Sequence, residues 1–332
     1  MDIWLSHVMF VLAAVEFVCG VVAFVYNFHY GPRFWKSQHF HANVKKIVLY
    51  LNLIISVTPM LRPLVIYTFT DEYPLQNERY IYAVLMYFFD LILYLCQVFL
   101  HTKFLILVIE RMVAYKNRRT YENTKNNFVS ILFAVAFSLM VLETVLKTCG
   151  YLAFYESTSI DKKLQLSLTH CKDPLVLMLV LSCCYAMCMF GCIPFYTLRR
   201  FARRERHNCT SLSERFELRQ TEVIADLMVF INKGYAIGLV FIVPPYAVTW
   251  RCVLLGMDGF WRDCYDFSVQ YIYTVVGIYS VISSVCTIKI LNSAPTGRTA
   301  KMLSLTAVEA TEADKSYFKQ YEEQWRVRPS KK

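Results

Sequence analysis

Residues 106–125 read ILVIERMVAYKNRRTYENTK, and the way this stretch changes character decides how the chain folds. An apolar run stops at Glu110–Arg111, and a basic segment ending in Tyr121–Glu122 follows. The run reaches back to about Ile81, far beyond what one face of a half-buried helix needs. A helix rises about 1.5 Å per residue, so roughly twenty apolar residues cross a hydrocarbon core of about 30 Å. The run reads as a membrane span, and Glu110–Arg111 as the point where it leaves the lipid.

Six similar blocks lie on either side of it. With this one they run about Val8–Tyr26, Ile47–Phe69, Ile81–Ile109, Phe128–Leu152, Leu175–Leu198, Val223–Thr249 and Phe267–Leu291. Apolar types make up 56% of the 332 residues and charged types 18%, which sets a soluble protein aside. A closed β-barrel would show segments of about ten alternating residues, and that pattern is missing. Backbone groups in lipid are satisfied within the span, so the blocks are read as helices. The expected fold is an all-α integral membrane bundle of seven helices over residues 1–291, followed by a tail of residues 292–332.

Lysine and arginine fix the expected orientation. With the N-terminus outside, the inner segments hold 24 of the 35 Lys and Arg, the outer segments 6 and the spans 5. The five within spans are Arg62, Lys103, Lys147, Lys233 and Lys289. This bias puts the N-terminus outside and the C-terminus and tail in the cytosol. The first seven residues carry no Lys or Arg, which argues against a cleaved signal peptide. The net charge of +10 then lies on the cytosolic face, where anionic membrane lipid is the expected partner and nucleic acid is not. The sequon Asn208–Cys209–Thr210 falls in the cytosol, so a glycan there would invert the topology.

No half of the chain repeats the other, which disfavours a secondary transporter built from duplicated halves. Pro59 and Pro63 in the second span and Pro244–Pro245 in the sixth free carbonyls and can kink or hinge those helices. Cys171, Cys252 and Cys264 fall in outer segments, where a bridge from Cys171 to either of the others would pin the second outer loop to the third. Cys183, Cys184, Cys188 and Cys192 serve as small apolar residues of the fifth span.

Ionisable residues within spans are costly and usually face the bundle interior. Arg62, Asp90 and Glu143 fall at one depth in the outer half, roughly 10–14 Å down at the helical rise, with Glu16 nearer the middle. Arg62 is expected to pair with Asp90, and Glu143 stands four residues before Lys147 on one helix. These four either neutralise one another and fasten the bundle or form the polar floor of a ligand cavity. In the inner half lie Lys103, Glu110, Arg111, Glu222, Asp226 and Lys233. Glu222 and Asp226 share one helical face and are the expected partners of Arg111. Such a pair between two helix ends is lost when the ends part, which is what a two-state switch needs; plain snorkelling of Arg111 is the alternative.

No Gly-rich phosphate loop, His-Glu-x-x-His or nucleophile–base arrangement is present, so no enzyme, metal or cofactor is expected. His29, His39 and His41 near Trp35 read as an interfacial stretch and not as a metal site.

Short motifs in the inner segments narrow the class. Glu110–Arg111–Met112–Val113–Ala114 followed by Tyr121–Glu122 resembles the E-R-x-x-A … Y-E pattern of nematode serpentine chemoreceptors. Phe40–His41–Ala42–Asn43 resembles the F-H-x-N of the same group, and residues 212–222 (LSERFELRQTE) resemble its L-S-x-x-[YF]-x-L-x-x-x-E stretch. The chain is similar to the epsilon class (Sre), or to a neighbouring class of the same alpha/beta/epsilon group. The resemblance implies a chemosensory G-protein-coupled receptor for a small environmental ligand, coupled to a heterotrimeric G protein. It places the protein in the cell membrane, at the cilia of sensory neurons. It carries over to Glu110–Arg111, where the arginine would face the G protein; with Tyr121 and Glu122 of the same motif, and Glu222 and Asp226 from their spacing, these residues are the expected coupling switch. The seventh span contains no proline, so an N-P-x-x-Y switch is absent. The alternative is a multi-span transporter or ligand-gated channel that uses the intramembrane charges as its path.

Overall fold

The computed structural model describes residues 3–36, 42–118, 128–154, 159–168, 172–206, 208 and 212–309. All regular structure among them is helical. In chain order the elements are α1 (Ile3–Lys36), α2 (Ala42–Thr68), α3 (Tyr80–Lys116), α4 (Phe128–Phe154), α5 (Ile160–Leu168), α6 (Pro174–Arg206), α7 (Leu212–Leu255) and α8 (Gly259–Glu309). Six of the seven expected spans fall within long helices, and the second, Ile47–Phe69, runs one residue past the end of α2. The nine-residue α5 is an addition that lies in the expected second outer loop. Its start carries a local signal, because Ser159 Oγ accepts from the Lys162 amide at 3.3 Å as an N-cap does.

Among the described residues six helices are long and apolar enough to cross a membrane on composition, and α6 adds an apolar stretch over Pro174–Ala186. The outward side chains agree with that reading. Val11, Val18 and Val22 of α1 and Ile131, Leu139 and Leu146 of α4 are 47–63% exposed, an arrangement suited to lipid and hostile to water.

Several helices exceed what a membrane needs. α7, at 44 residues, is about 66 Å long. The extra turns at the ends of α3 and α6 and the start of α7 carry the charges described below.

The chain divides into two units, residues 1–288 and 289–332. In the first, α6 and α7 pack through Leu177, Leu181, Leu239 and Ile242, with Val269 and Ile272 of α8 in the same apolar cluster. α1 meets α2 and α8 at two glycines. A Cβ on Gly20 would lie 2.4 Å from the Met60 backbone nitrogen, and one on Gly277 would lie 3.4 Å from the Glu16 backbone. Helix axes come this close only where a side chain is missing. In the second unit α8 continues to Glu309.

Candidate functional site: a charged junction and an apolar cavity

The α3 helix carries its apolar pattern to Ile109 and then buries the two charges that follow. Glu110 is fully buried and Arg111 is 1% exposed. Arg111 donates from Nε and Nη2 to the two carboxylate oxygens of Glu110, a bidentate arrangement. Its third nitrogen, Nη1, stands 3.9 Å from Glu217 Oε2 at the start of α7. The cation is thus flanked by one carboxylate from its own helix and one from across the junction.

The expected partners of Arg111 are taken by α6. Glu222 accepts from Arg203 at 2.8 and 3.0 Å and from Arg206 at 2.7 Å, and Asp226 pairs with Arg199 at 2.7 Å. The bonds to Glu222 hold the Arg203 guanidinium above its ordinary pKa. The correction has a geometric cause. Arg199, Arg203 and Arg206 recur at i, i+4 and i+7 on α6, so they share the face that meets α7. Five residues separate α6 from α7, and an antiparallel hairpin that tight brings these faces together before α3 can compete.

α6 also reaches α3. Glu205 accepts from the Tyr115 hydroxyl at 2.7 Å and pairs with Arg118 Nη2 at 3.0 Å. Tyr115 packs against buried Ala202 and Leu218, an apolar plug among the charges. The junction therefore ties α3, α6 and α7 at the end that the Lys/Arg bias assigns to the cytosol. Tyr121 and Glu122 lie outside the described residues, as do Phe40 and His41.

In the other half of the bundle the expected charges do not gather. Arg62 pairs with Glu16, not with Asp90: its Nη1 donates to Glu16 Oε2 at 2.8 Å and to Gln270 Oε1 at 3.0 Å. Gln270 Nε2 donates to the same Glu16 oxygen at 2.8 Å. This triad joins α1, α2 and α8. The choice follows from Gly20, four residues after Glu16 on the same face of α1, because the close approach it allows brings Glu16 to α2. Asp90 is half-buried on α3 and feels Lys172 of the second outer loop. Glu143 faces outward from α4, and Lys147 turns inward with its ammonium 4.6 Å from the Tyr94 ring.

The cavity lies elsewhere. About 50 Å³ in volume, it is walled by Thr58 of α2, Gln97 and Leu100 of α3, Leu177, Val180 and Leu181 of α6, and a face of α8 that includes Tyr273 and Val276. None of Arg62, Asp90, Glu143 and Lys147 lines it. Arg62 touches it at one remove, with its guanidinium 3.6 Å over the Tyr273 ring. Gln97 donates to the Tyr273 hydroxyl.

The outer loops are held by polar contacts. Buried Asp161 of α5 accepts from the amides of Leu75 and Gln76 at 3.2 and 3.1 Å and from the Tyr87 hydroxyl at 2.6 Å. Gln165 donates to the Glu72 carbonyl at 2.7 Å. Cys252 and Cys264 are free thiols, and Cys171 lies outside the described residues. Bonds from Asn77 and the Tyr73 amide hold the Asp71 carboxyl below its usual range and tighten the first loop.

Comparison with protein families shows what the chain is similar to. The model described as serpentine type 7TM GPCR receptor class ab chemoreceptor matches residues 2–326. No curated protein matches the chain.

Proposed function

The chain belongs to the class ab family of serpentine chemoreceptors, the neighbour of the epsilon class within the group its motifs resemble, and on that premise we propose a ligand-driven switch. The ligand is a small environmental molecule held in the cavity between α2, α3, α6 and α8. The partner is a heterotrimeric G protein at the inner ends of α3, α6 and α7, and the site of action is the ciliary membrane of sensory neurons. Family membership favours this reading over a transporter or channel.

One observation carries the mechanism: Arg111 is buried between Glu110 and Glu217 where α3 and α7 meet. At rest Glu217 restrains the α3 cation. When α7 swings away, Glu217 goes with it and the arginine faces the G protein. Arg199, Arg203 and Arg206 bind α6 to α7 through Glu222 and Asp226, so these two helices move as one body. Glu205 must release Tyr115 and Arg118 in the same step. Ligand reaches this machinery through α6 and α8, which wall the cavity and pack on α7.

The test is nucleotide exchange by a co-expressed heterotrimeric G protein. Arg111→Ala leaves two buried carboxylates without their cation, so it is compared with the wild type at equal surface level, where it should fail to stimulate exchange with any ligand. Normal stimulation by that variant at normal surface levels would remove Arg111 from the mechanism.

A further inference from the structure

Lys103 is a span lysine that this switch does not use, and its surroundings are unusual. It is 5% exposed, within α3. Its one hydrogen bond among the described residues goes to the Tyr279 hydroxyl of α8 at 2.7 Å. The ammonium also lies 4.4 Å from the Tyr279 ring centroid and 5.0 Å from that of Phe104. Tyr235 of α7 closes the enclosure, 5.5 Å from the Tyr279 ring and 5.9 Å from that of Phe104. An ammonium has three donors and a full charge, and among the described residues one donor is filled and no carboxylate pairs with it. Buried charges in proteins are normally paired with an opposite charge. Rings and a phenol supply part of that compensation, and an anion would supply the rest.

Neither Lys103 nor Tyr279 lines the cavity, but each stands about one helical turn inward of a residue that does. Leu100 and Val276 line the cavity, and Lys103 and Tyr279 follow them by three residues on the same two helices. Long side chains of a helix lean toward its N-terminal end. By the Lys/Arg bias α3 and α8 both run inward, so this general lean takes Lys103 and Tyr279 toward the level of Leu100 and Val276. The cavity wall itself is apolar except for Thr58, Gln97 and Tyr273.

We propose that Lys103, presented by Tyr279 at the inner end of the cavity, receives the carboxylate of a short unbranched organic acid whose carbon chain fills the apolar space above. The inference rests on the cavity being the ligand site. The phenol holds the ammonium in place and the aromatic ring of neighbours excludes water, so the incoming carboxylate meets a cation that is already stripped. The small volume selects a chain of a few carbons.

The experiment uses the full chain in lipid nanodiscs and measures saturable binding of labelled butanoate, with butan-1-ol as the neutral competitor. Butanoate should bind and butan-1-ol should compete at least roughly tenfold less well, the worth of one charge-assisted contact. Lys103→Met should weaken butanoate by a similar factor, and Lys103→Arg, which keeps the cation, should retain most of the affinity. Val180→Phe, which fills the cavity, should abolish binding of both. Equal affinity for acid and alcohol in the wild-type protein overturns the carboxylate assignment without need of any variant. If Val180→Phe still abolishes that equal binding, the cavity reading stands alone. Undiminished binding in Val180→Phe, or no saturable butanoate binding at all, overturns the inference, and the former removes the cavity reading with it.

Discussion

Arg111 of α3 and Glu217 of α7 face each other at 3.9 Å, with side chains 1% and 0% exposed, across the place where two long helices meet. The separation exceeds a hydrogen bond, and the burial keeps water from screening it. An ion pair of that kind favours one packing of the two helices and contributes nothing once they part.

Glu217→Gln should therefore raise ligand-independent G-protein activation, by roughly fivefold or more at equal surface level. Glu222→Gln should behave differently. It frees Arg203 and Arg206 and loosens α6 from α7, so it should lower the ligand-evoked response instead of raising the basal one. A cell reporter of basal and evoked signalling separates the two outcomes.

The triad of Glu16, Arg62 and Gln270 predicts a stability pattern. Removing one member of a buried pair leaves the other uncompensated and costs about 3–5 kcal/mol. Arg62→Gln should thus be more damaging than the double variant Arg62→Gln with Glu16→Gln. Asp90→Asn should add to Arg62→Gln independently. Thermal unfolding of the receptor in detergent reads all four, and a non-additive effect between Arg62 and Asp90 would contradict the assignment.

Gly20 should tolerate no side chain. An added Cβ meets backbone atoms of Pro59 and Met60 at 2.4–2.8 Å, and backbone cannot step aside as a flexible side chain can. Gly20→Ala is expected to destabilise by about 1–3 kcal/mol and to lower surface delivery. Gly150→Ala, with nothing within 4 Å of the added atom, is the matched control.

Asp161 should hold the outer loops together. Asp161→Ala leaves the Leu75 and Gln76 amides without their acceptor, so residues 72–77 should exchange amide hydrogen faster and be cut more readily by protease added outside. Unaltered protection in that segment would show that α5 is held by other contacts.

The bundle was readable because each span is long enough to register as an apolar block, and the end of α3 because the change of composition there is abrupt. The partners of the charges were harder. Periodicity tells which residues share a face of one helix, but not which face of another helix it meets. Arg62 had Asp90 at its own depth and Glu16 nearer the middle, and depth alone favoured Asp90. The deciding signal was Gly20, since a glycine four residues from a buried acid marks the face that comes closest to a neighbour. The basic series of Arg199, Arg203 and Arg206 was equally visible and would have claimed Glu222 and Asp226 from Arg111. Glu217 lay inside a motif already singled out, and only the length of α7 shows that it reaches α3. The cavity could not be read in advance, because its walls are ordinary core residues from four helices.

The distance between the inner ends of α3 and α7 tests the switch most directly. Spin labels at Met112 and Arg215, both exposed side chains, report it by pulsed electron resonance in the full-length receptor. The account predicts one short distance in the otherwise wild-type protein and a second, longer population in Glu217→Gln. An identical distance distribution in the two would contradict it, because the ion pair would then hold nothing in place.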